Sequence, residues 1–128
     1  MFTHAQVNLF VDDVPASAGF FRDHCGFTET FRTPVTGEPV HVEMVLDGFK
    51  LGIADHATGE AEHGLGGATP GLPQCDVTLW CDDTDAAYAR LVAAGGVPVQ
   101  EPHDFGGNRA GWLKEPGGHL VSVVAKAR

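Results

Sequence analysis

The sequence predicts an α+β protein built from two copies of a β-α-β-β-β module. Alternating apolar residues followed by an Asp-Asp pair occur at 7–13, and alternating residues followed by Asp-Asp recur at 77–83. The same offset of 70 residues aligns Ala16 with Ala86, Gly26 with Gly96 and Gly48 with Gly118. In each copy the acidic turn precedes a helical pattern, and a Gly-containing turn separates the last two apolar segments. A repeat that preserves strand, turn and glycine positions indicates two copies of one structural unit.

The elements of the first copy follow from local signals. Alternation over residues 7–11 predicts a strand. The segment Asp13-Val14-Pro15 predicts a helix start, because the first N–H groups of a helix lack intrahelical partners. The helical pattern stops at Gly26. Three more strands are predicted over residues 27–32, 41–46 and 49–54, with an Asp47-Gly48 turn between the last two.

The second copy has the same signals in the same order. A strand begins at Val77, Asp83-Thr84-Asp85 opens a helix, and Gly95-Gly96 ends it. Strands are predicted over residues 97–100, 110–114 and 120–125, with Pro116-Gly117-Gly118 as the last turn. The sequence therefore predicts one structural domain with a first module over residues 1–57, a Gly/Pro-rich linker over 58–73 and a second module over 74–128.

Charge and composition restrict the classes of function. The chain of 128 residues has 8 Lys and Arg against 17 Asp and Glu, a net charge of −9 at pH 7. Such a surface repels phosphate backbones and anionic membranes and attracts cationic ligands. No apolar run is long enough to span a membrane, the first residues lack a signal-peptide pattern, and three cysteines predict no disulfide framework. We expect a cytoplasmic protein without nucleic-acid or membrane partners.

Strand alternation predicts which side chains are free to bind a ligand. In the two first strands, Val7, Leu9, Val11 and Val77, Leu79, Cys81 face the helices, which leaves Gln6, Asn8, Phe10 and Asp76, Thr78, Trp80 on the opposite face. Aromatic rings beside amide, hydroxyl and carboxylate groups bind flat polar molecules by stacking and directed hydrogen bonds. For Phe10 and Trp80 the alternative is burial in the core or in a subunit contact.

Two motifs resemble a known family. Asp13-x3-Ser17-x2-Phe20-Phe21 after a Val-x-Leu-x-Val strand, and residues 114–119 (Lys-Glu-Pro-Gly-Gly-His) before a closing strand, resemble the vicinal-oxygen-chelate superfamily over essentially the whole chain. That superfamily includes glyoxalase I, extradiol dioxygenases, fosfomycin-resistance enzymes and bleomycin-resistance drug-binding proteins. The resemblance implies the glyoxalase/bleomycin-resistance fold, a cupped mixed sheet whose cavity is often completed by a second subunit. It does not choose among these activities.

The resemblance also implies where a metal would bind. In the metal enzymes of the family the first and last strand of each module supply one ligand each, at positions that are Gln6, Gly52, Asp76 and Ser122 in this sequence. A divalent ion usually takes three or four His, carboxylate or thiolate ligands, and only Asp76 is of this kind. His41 and Glu43 share a predicted strand face, as either a two-ligand fragment or ordinary surface polarity. The sequence argues against bound metal, cofactor and metal-dependent catalysis.

The predicted function is that of the drug-binding members: a homodimer that sequesters a planar or cationic drug or natural product in a dimeric cavity without chemistry. The predicted ligand contacts are Asn8, Phe10, His41, Asp76, Thr78, Trp80, Phe105, Trp112 and Ser122, with no catalytic residue. His41 and Phe105 are included because their locations resemble ligand contacts of mitomycin-type drug binders, and the face that Trp112 occupies is left open. The alternatives are a metal-dependent lyase, transferase or dioxygenase with non-standard ligands, and a small interaction or sensor module.

Overall fold

The computed structural model describes residues 1, 3–65, 71, 73 and 75–127. The chain divides into two compact units, Met1–Pro70 and Gly71–Arg128. Each unit holds a four-stranded mixed sheet and contains the β-α-β-β-β order that the repeat predicts, so the predicted α+β class is confirmed. Residues 66–70 and 72 of the predicted linker lie outside the described residues. Within the described ranges, no helix combines the length and the apolar character needed to cross a membrane.

In its described residues, the first unit contains four strands, two α-helices and a π-helical segment. Its elements are β1 (Gln6–Val11), α1 (Val14–Gly19), a π-helical segment (Phe20–His24), β2 (Thr28–Thr33), β3 (His41–Leu46), β4 (Phe49–Asp55) and α2 (His56–His63). The strand order in the sheet is β1-β4-β3-β2, with β1 parallel to β4 and the other pairs antiparallel. The predicted first helix is present, but its second half is π-helical.

The second unit repeats this topology. Its elements are β5 (Val77–Trp80), α3 (Thr84–Ala93), β6 (Val97–Phe105), β7 (Asn108–Lys114) and β8 (Leu120–Lys126). The strand order is β5-β8-β7-β6, with β5 parallel to β8. Strand β6 is longer than the predicted 97–100, because it continues past two irregularities in its pairing with β7 to a turn at Gly106-Gly107. Both glycines of that turn have positive φ, as a two-residue hairpin turn requires.

The helix caps and the hairpin of the first unit confirm the local predictions. Asp13 Oδ1 accepts a hydrogen bond from the Ala16 amide at 3.0 Å, and Asp83 Oδ1 accepts one from the Ala86 amide at 3.1 Å. The two caps are therefore equivalent under the 70-residue repeat. Asp47 has a φ of 47°, in the left-handed region that an Asp-Gly hairpin turn needs.

Helix α2 occupies residues for which the sequence predicts a linker from residue 58 onward. Asp55 Oδ1 accepts a hydrogen bond from the Thr58 amide at 2.7 Å and caps the helix, and its hydrogen bonds with Thr58 hold the pKa of the Asp55 carboxyl below its usual range. Gly64 ends the helix in a left-handed conformation. The sequence analysis missed this helix, because the glycine and polar content of residues 58–73 outweighed the cap signal at Asp55.

Of the six residues predicted to face the helices, three are buried, Leu79 and Cys81 are half-buried, and Val7 is exposed. Leu9 and Val11 are buried in the first unit, and Val77 is buried in the second. Val7, predicted to face the helix, is 40% exposed, near the start of β1 at the edge of its sheet. The remaining apolar core includes Val14, Ala18, Phe20, Phe21, Phe27, Val42, Met44, Leu51, Ile53 and Ala54 in the first unit and Ala87, Tyr88, Leu91, Ala110, Leu113, Val121, Val123, Val124 and Ala125 in the second.

Candidate functional site

The face of the second sheet opposite Val77 carries polar and aromatic side chains that we call the Asp76 cluster. Strand register places Thr78 of β5 opposite Ser122 of β8, and Ser122 opposite Trp112 of β7. Directly opposite residues project from the same face of a sheet, so these three side chains form one row across it. The cluster consists of Asp76, Thr78, His103, Phe105, Trp112 and Ser122.

Hydrogen bonds in the cluster converge on the Asp76 carboxylate. Ser122 Oγ donates to Thr78 Oγ1 at 2.9 Å, and Thr78 Oγ1 donates to Asp76 Oδ1 at 3.4 Å. Trp112 Nε1 donates to Asp76 Oδ2 at 3.2 Å. Each of these hydroxyl and indole groups has a single proton to donate, and each proton is used inside the cluster. What remains for a ligand is hydrogen-bond acceptor capacity on the carboxylate.

The Asp76 carboxylate is exposed and makes no ion pair with any residue that the structure describes. Lys114 lies on the same strand as Trp112, two residues further on, but it does not contact the carboxylate within ion-pair distance. The charge of Asp76 is thus oriented by two neutral donors and is not neutralised. A bound cation would supply the missing opposite charge.

Three aromatic rings form a group around the indole that donates to this carboxylate. The Trp112 and His103 ring centroids are 5.8 Å apart with an interplanar angle of 33°, and the Phe105 ring meets Trp112 edge-on at 5.7 Å. Phe105 and His103 are 6.2 Å apart. Phe105 is 59% exposed and Trp112 is half-buried. The cluster therefore presents ring surface next to an unneutralised carboxylate.

Trp80 lies on the same face, one row further along β5. It is 63% exposed, and the register places it opposite Val124. Thr78 and Trp80 are exposed and Val77 is buried, as strand alternation predicts. Core packing, the alternative for Trp80, is not its role within this chain.

Helix α3 supports Trp112 from the other side of the sheet. Tyr88 donates a hydrogen bond from its hydroxyl to the Trp112 carbonyl oxygen at 3.2 Å, and its ring lies over Gly111. A Cβ at Gly111 would lie 2.9 Å from the Tyr88 ring, so the close approach requires glycine. Burial, with a smaller contribution from Glu101, raises the pKa of Tyr88, which keeps the hydroxyl protonated as a donor.

Arg109 ties the β6–β7 hairpin to α3. Its guanidinium donates to both carboxylate oxygens of Asp85 at 2.9 and 3.0 Å and lies 3.4 Å from Asp104. The hydrogen bonds from Arg109 hold the pKa of Asp85 below its usual range. The hairpin that carries His103 and Phe105 is thereby anchored to the helix by a bidentate pair.

The first unit carries a smaller polar arrangement on the equivalent face. Gln6 Nε2 donates to Asn8 Oδ1 at 2.9 Å, and the Asn8 amide lies over Gly52, in the space that a Cβ at residue 52 would occupy. On the other side of Gly52, the register pairs it with Glu43 of β3. Asn8 is therefore held by Gln6 above a strand position that has no side chain.

His41, predicted as a ligand contact, is paired within its own strand. Its Nε2 lies 3.4 Å from Glu43 Oε2, and its ring meets Phe31 edge-on at 5.7 Å. Phe31 itself is 48% exposed. His41, Glu43 and Phe31 thus form a partly exposed group in the first unit. Of these three residues, only His41 is a predicted ligand contact.

Phe10, also predicted as a ligand contact, packs against α2. A Cβ at Gly59 would lie 2.6 Å from Phe10 Cδ1, and the Phe10 and His63 ring centroids are 5.4 Å apart. Helix α2 packs on the ring, so Phe10 is half-buried within the first unit. The sequence analysis did not predict this contact because it missed the helix.

The positions that would hold a metal in the family do not fit one. Gly52 offers no donor atom and its side-chain space is filled by Asn8, while Ser122 is a buried neutral hydroxyl that donates to Thr78. Asp76 is the one anionic group among the four positions. In the described part of the chain, no group of three or more His, Cys, Asp or Glu side chains is arranged to hold a metal ion.

His103 is the member of the Asp76 cluster that the sequence analysis missed. The predicted strand stopped at residue 100, which left His103 in a loop of unknown orientation. Its spacing of two from Phe105, a predicted contact, places it on that face only once the strand is known to continue to residue 105, because residues i and i+2 of a strand share a face.

Comparison with known proteins agrees with this fold. The sequence profile of the Glyoxalase/Bleomycin resistance protein/Dioxygenase superfamily matches residues 3–123. The chain therefore belongs to this superfamily, and the predicted membership is confirmed. A comparison with curated protein sequences finds no match.

Solved structures with this fold include three of different kinds. Hypothetical protein SA1046 from S. aureus has a TM-score of 0.82 at 20% identity, covering 98% of this chain and 95% of that one. TioX from Micromonospora sp. ML1 has a TM-score of 0.72 at 23% identity, covering 98% and 100%. The fosfomycin resistance protein FosX from Mesorhizobium loti has a TM-score of 0.70 at 10% identity, covering 99% and 94%. At these identities the likeness concerns the fold.

Proposed function

We propose that this chain is a cytoplasmic binding protein that sequesters a planar, cationic small molecule, such as an antibiotic natural product, without converting it chemically. The ligand would lie on the Asp76 cluster. Its ring would stack on Trp112 and contact Phe105, and its positive charge would approach the carboxylate of Asp76. Trp80, one row away on the same face, extends the ring surface.

The observation that carries this proposal is the direction of the hydrogen bonds. Thr78 and Trp112 both donate to Asp76, so the carboxylate is oriented and yet keeps its charge. A carboxylate whose neighbouring donors are already used, beside aromatic rings, favours a cation or an N–H donor over an anion. Ligand binding would remove water from this site and strengthen the charge pair.

The overall charge of the protein supports the same ligand class. A net charge of −9 at pH 7 raises the local concentration of cations around the protein and increases their association rate. One protein with this fold is a fosfomycin resistance protein, which agrees with a role in resistance to antibiotics. The unsuitability of Gly52 and Ser122 as metal ligands favours binding over metal-dependent chemistry.

A pair of planar dyes tests the proposal. Ethidium is permanently cationic and acridone is neutral, and both can be titrated by fluorescence anisotropy. The Asp76→Asn variant keeps an acceptor for Trp112 but removes the charge, so we expect it to weaken ethidium binding about tenfold, or about 1.4 kcal/mol. Acridone binding should change by less than about threefold. Ethidium affinity should also fall with added salt.

Asp82→Asn is the matched control, because Asp82 is an exposed acid in the turn before α3 and outside the cluster. It should leave both dyes unaffected. Equally small effects of the two substitutions, with no effect of salt, would mean that the acidity serves solubility alone. A thermal-shift screen of antibiotics then searches for the natural ligand.

We also propose that the protein is a homodimer. Strand β6 lies at the edge of its sheet and leaves Val97 and Val99 more than half exposed, a feature that soluble proteins usually cover. Light scattering should give about 27 kDa, twice the chain mass of 13.5 kDa. A monomer at micromolar concentration would contradict this.

A further inference from the structure

We propose that His103 makes the binding of a cationic ligand proton-competitive, so that the site holds the ligand when His103 is neutral and releases it when His103 is protonated. This inference rests on the proposed function. It concerns a residue outside the predicted contacts, and it adds a condition under which the ligand is given up.

The hydrogen bond of His103 determines which ring nitrogen is the acceptor. His103 Nδ1 lies 2.8 Å from the backbone carbonyl oxygen of Glu101. A carbonyl oxygen can only accept, so the proton of the neutral imidazole resides on Nδ1. Nε2 then carries a lone pair, and the neutral ring adds a second acceptor to the face that already presents the Asp76 carboxylate.

Protonation reverses this contribution. A proton on Nε2 turns the acceptor into a donor and adds a positive charge to a ring whose centroid is 5.8 Å from that of Trp112. The imidazolium is then itself a cation beside the indole that the ligand would cover, and it gains a cation–π attraction there. A cationic ligand on the same indole would then lose its own cation–π attraction and be repelled by the positive charge of His103.

The neighbouring charged groups do not cancel this effect. Those around His103 are Glu101 and Asp104 on its own strand, Arg109 on β7, Asp85 on α3, and Asp76 through Trp112. By register, Lys114 on β7 and Lys126 on β8 also lie on this face of the sheet. Arg109 is paired with Asp85 and Asp104, so it offers no free charge to the ligand. Histidine is the side chain type that ordinarily changes charge between pH 5 and 8, and the other histidine of the second unit, His119, pairs with Glu115 in a turn.

The experiment is an ethidium titration by fluorescence anisotropy on the intact protein between pH 8 and pH 5. The charge of ethidium is constant over this range, so a change in affinity reports on the protein. We expect the dissociation constant to rise at least fivefold toward pH 5. His103→Gln, which keeps a polar side chain that cannot become charged, should vary by less than twofold over the range.

Two further variants separate charge from structure. His103→Lys carries a permanent charge at the same position and should bind ethidium at pH 8 as weakly as the wild type does at pH 5. His24→Gln, a change at an exposed histidine of the first unit, should keep the wild-type pH dependence. Circular dichroism checks that each variant is folded.

The outcomes distinguish this inference from the proposed function. Ethidium that binds the wild type with the same affinity at every pH would overturn the role of His103 and leave the proposed function standing. A pH dependence that survives in His103→Gln, or tight binding by His103→Lys at pH 8, would do the same. No binding at any pH would overturn the proposed function and this inference together.

Discussion

Replacing Glu115 by alanine tests the best-defined buried charge of the second unit. The Glu115 side chain is 1% exposed, at the beginning of the turn that joins β7 to β8. Its Oε2 accepts a hydrogen bond from the Gly117 amide at 2.8 Å, and its Oε1 accepts one from the His119 amide at 3.2 Å. His119 Nδ1 lies 3.6 Å from the same oxygen. The buried carboxylate therefore stabilises the turn by accepting hydrogen bonds from two of its backbone amides.

The magnitude follows from these contacts. A hydrogen bond to a charged group contributes about 1.5–3 kcal/mol, and two amides lose theirs in Glu115→Ala. Gly117 and His119 are half-exposed, so water replaces part of the loss and the lower values apply. We expect the free energy of unfolding to fall by about 3 kcal/mol, a large share of the ~5–15 kcal/mol typical of a domain. Glu115→Gln keeps one acceptor and should lose about half as much.

Urea denaturation at pH 7, followed by circular dichroism, measures these changes through the midpoint at constant slope. Glu101→Ala removes an exposed carboxylate of the same unit and should change the stability by less than about 0.5 kcal/mol. A loss below about 1 kcal/mol in Glu115→Ala, or an equal loss in Glu101→Ala, would refute the argument that the buried carboxylate organises the turn.

Three other predictions concern the ligand, pH and metal content. Trp80→Ala should weaken ethidium binding by about 1–3 kcal/mol with an unchanged fold, and unchanged binding would exclude Trp80 from the site. Hydrogen bonding to Arg32, then the charges of Arg32 and Arg22, lowers the pKa of Glu29. The ionised Glu29 carboxylate therefore stabilises the folded state fully above the unfolded-state pKa of about 4.3, and this stabilisation disappears as pH falls through the lower folded-state pKa. In urea midpoints measured from pH 6 to pH 3, Glu29→Gln should show a shallower decline than the wild type. Elemental analysis of purified protein should find no stoichiometric divalent ion, whereas about one Zn, Ni, Mn or Fe per chain, lost in Asp76→Ala, would favour an enzyme.

Much of the fold could be predicted because its signals are local. The caps at Asp13 and Asp83 act on amides three residues away, and the Asp47-Gly48 turn is specified by two residues. Strand alternation correctly separated Val77 from Thr78 and Trp80, since neighbouring side chains of a strand must point to opposite faces. Such contacts are short in sequence, and a repeat that shows them twice makes the prediction firmer.

The candidate site could be predicted only in part, because its contacts are distant in the chain. Alternation placed Asp76 and Thr78 on one face, but it could not show that the indole of Trp112, 36 residues further on, donates to Asp76. That contact depends on the order of strands in the sheet, in which β8 lies between β5 and β7. Strand order is set by the packing of the whole unit.

The sequence by itself determined the two modules, their helix starts, their last turns and the acidic, aromatic character of the exposed strand faces. The tertiary structure alone decided that α2 covers Phe10 and that His103 joins the Asp76 cluster. The pairing of β6 with β7 is irregular between Pro98 and His103, so alternation counted from the start of β6 cannot assign a face to His103. A bulge changes which residues of a strand face each side of the sheet, and its position depends on the pairing with the neighbouring strand. That pairing is formed only when the chain folds.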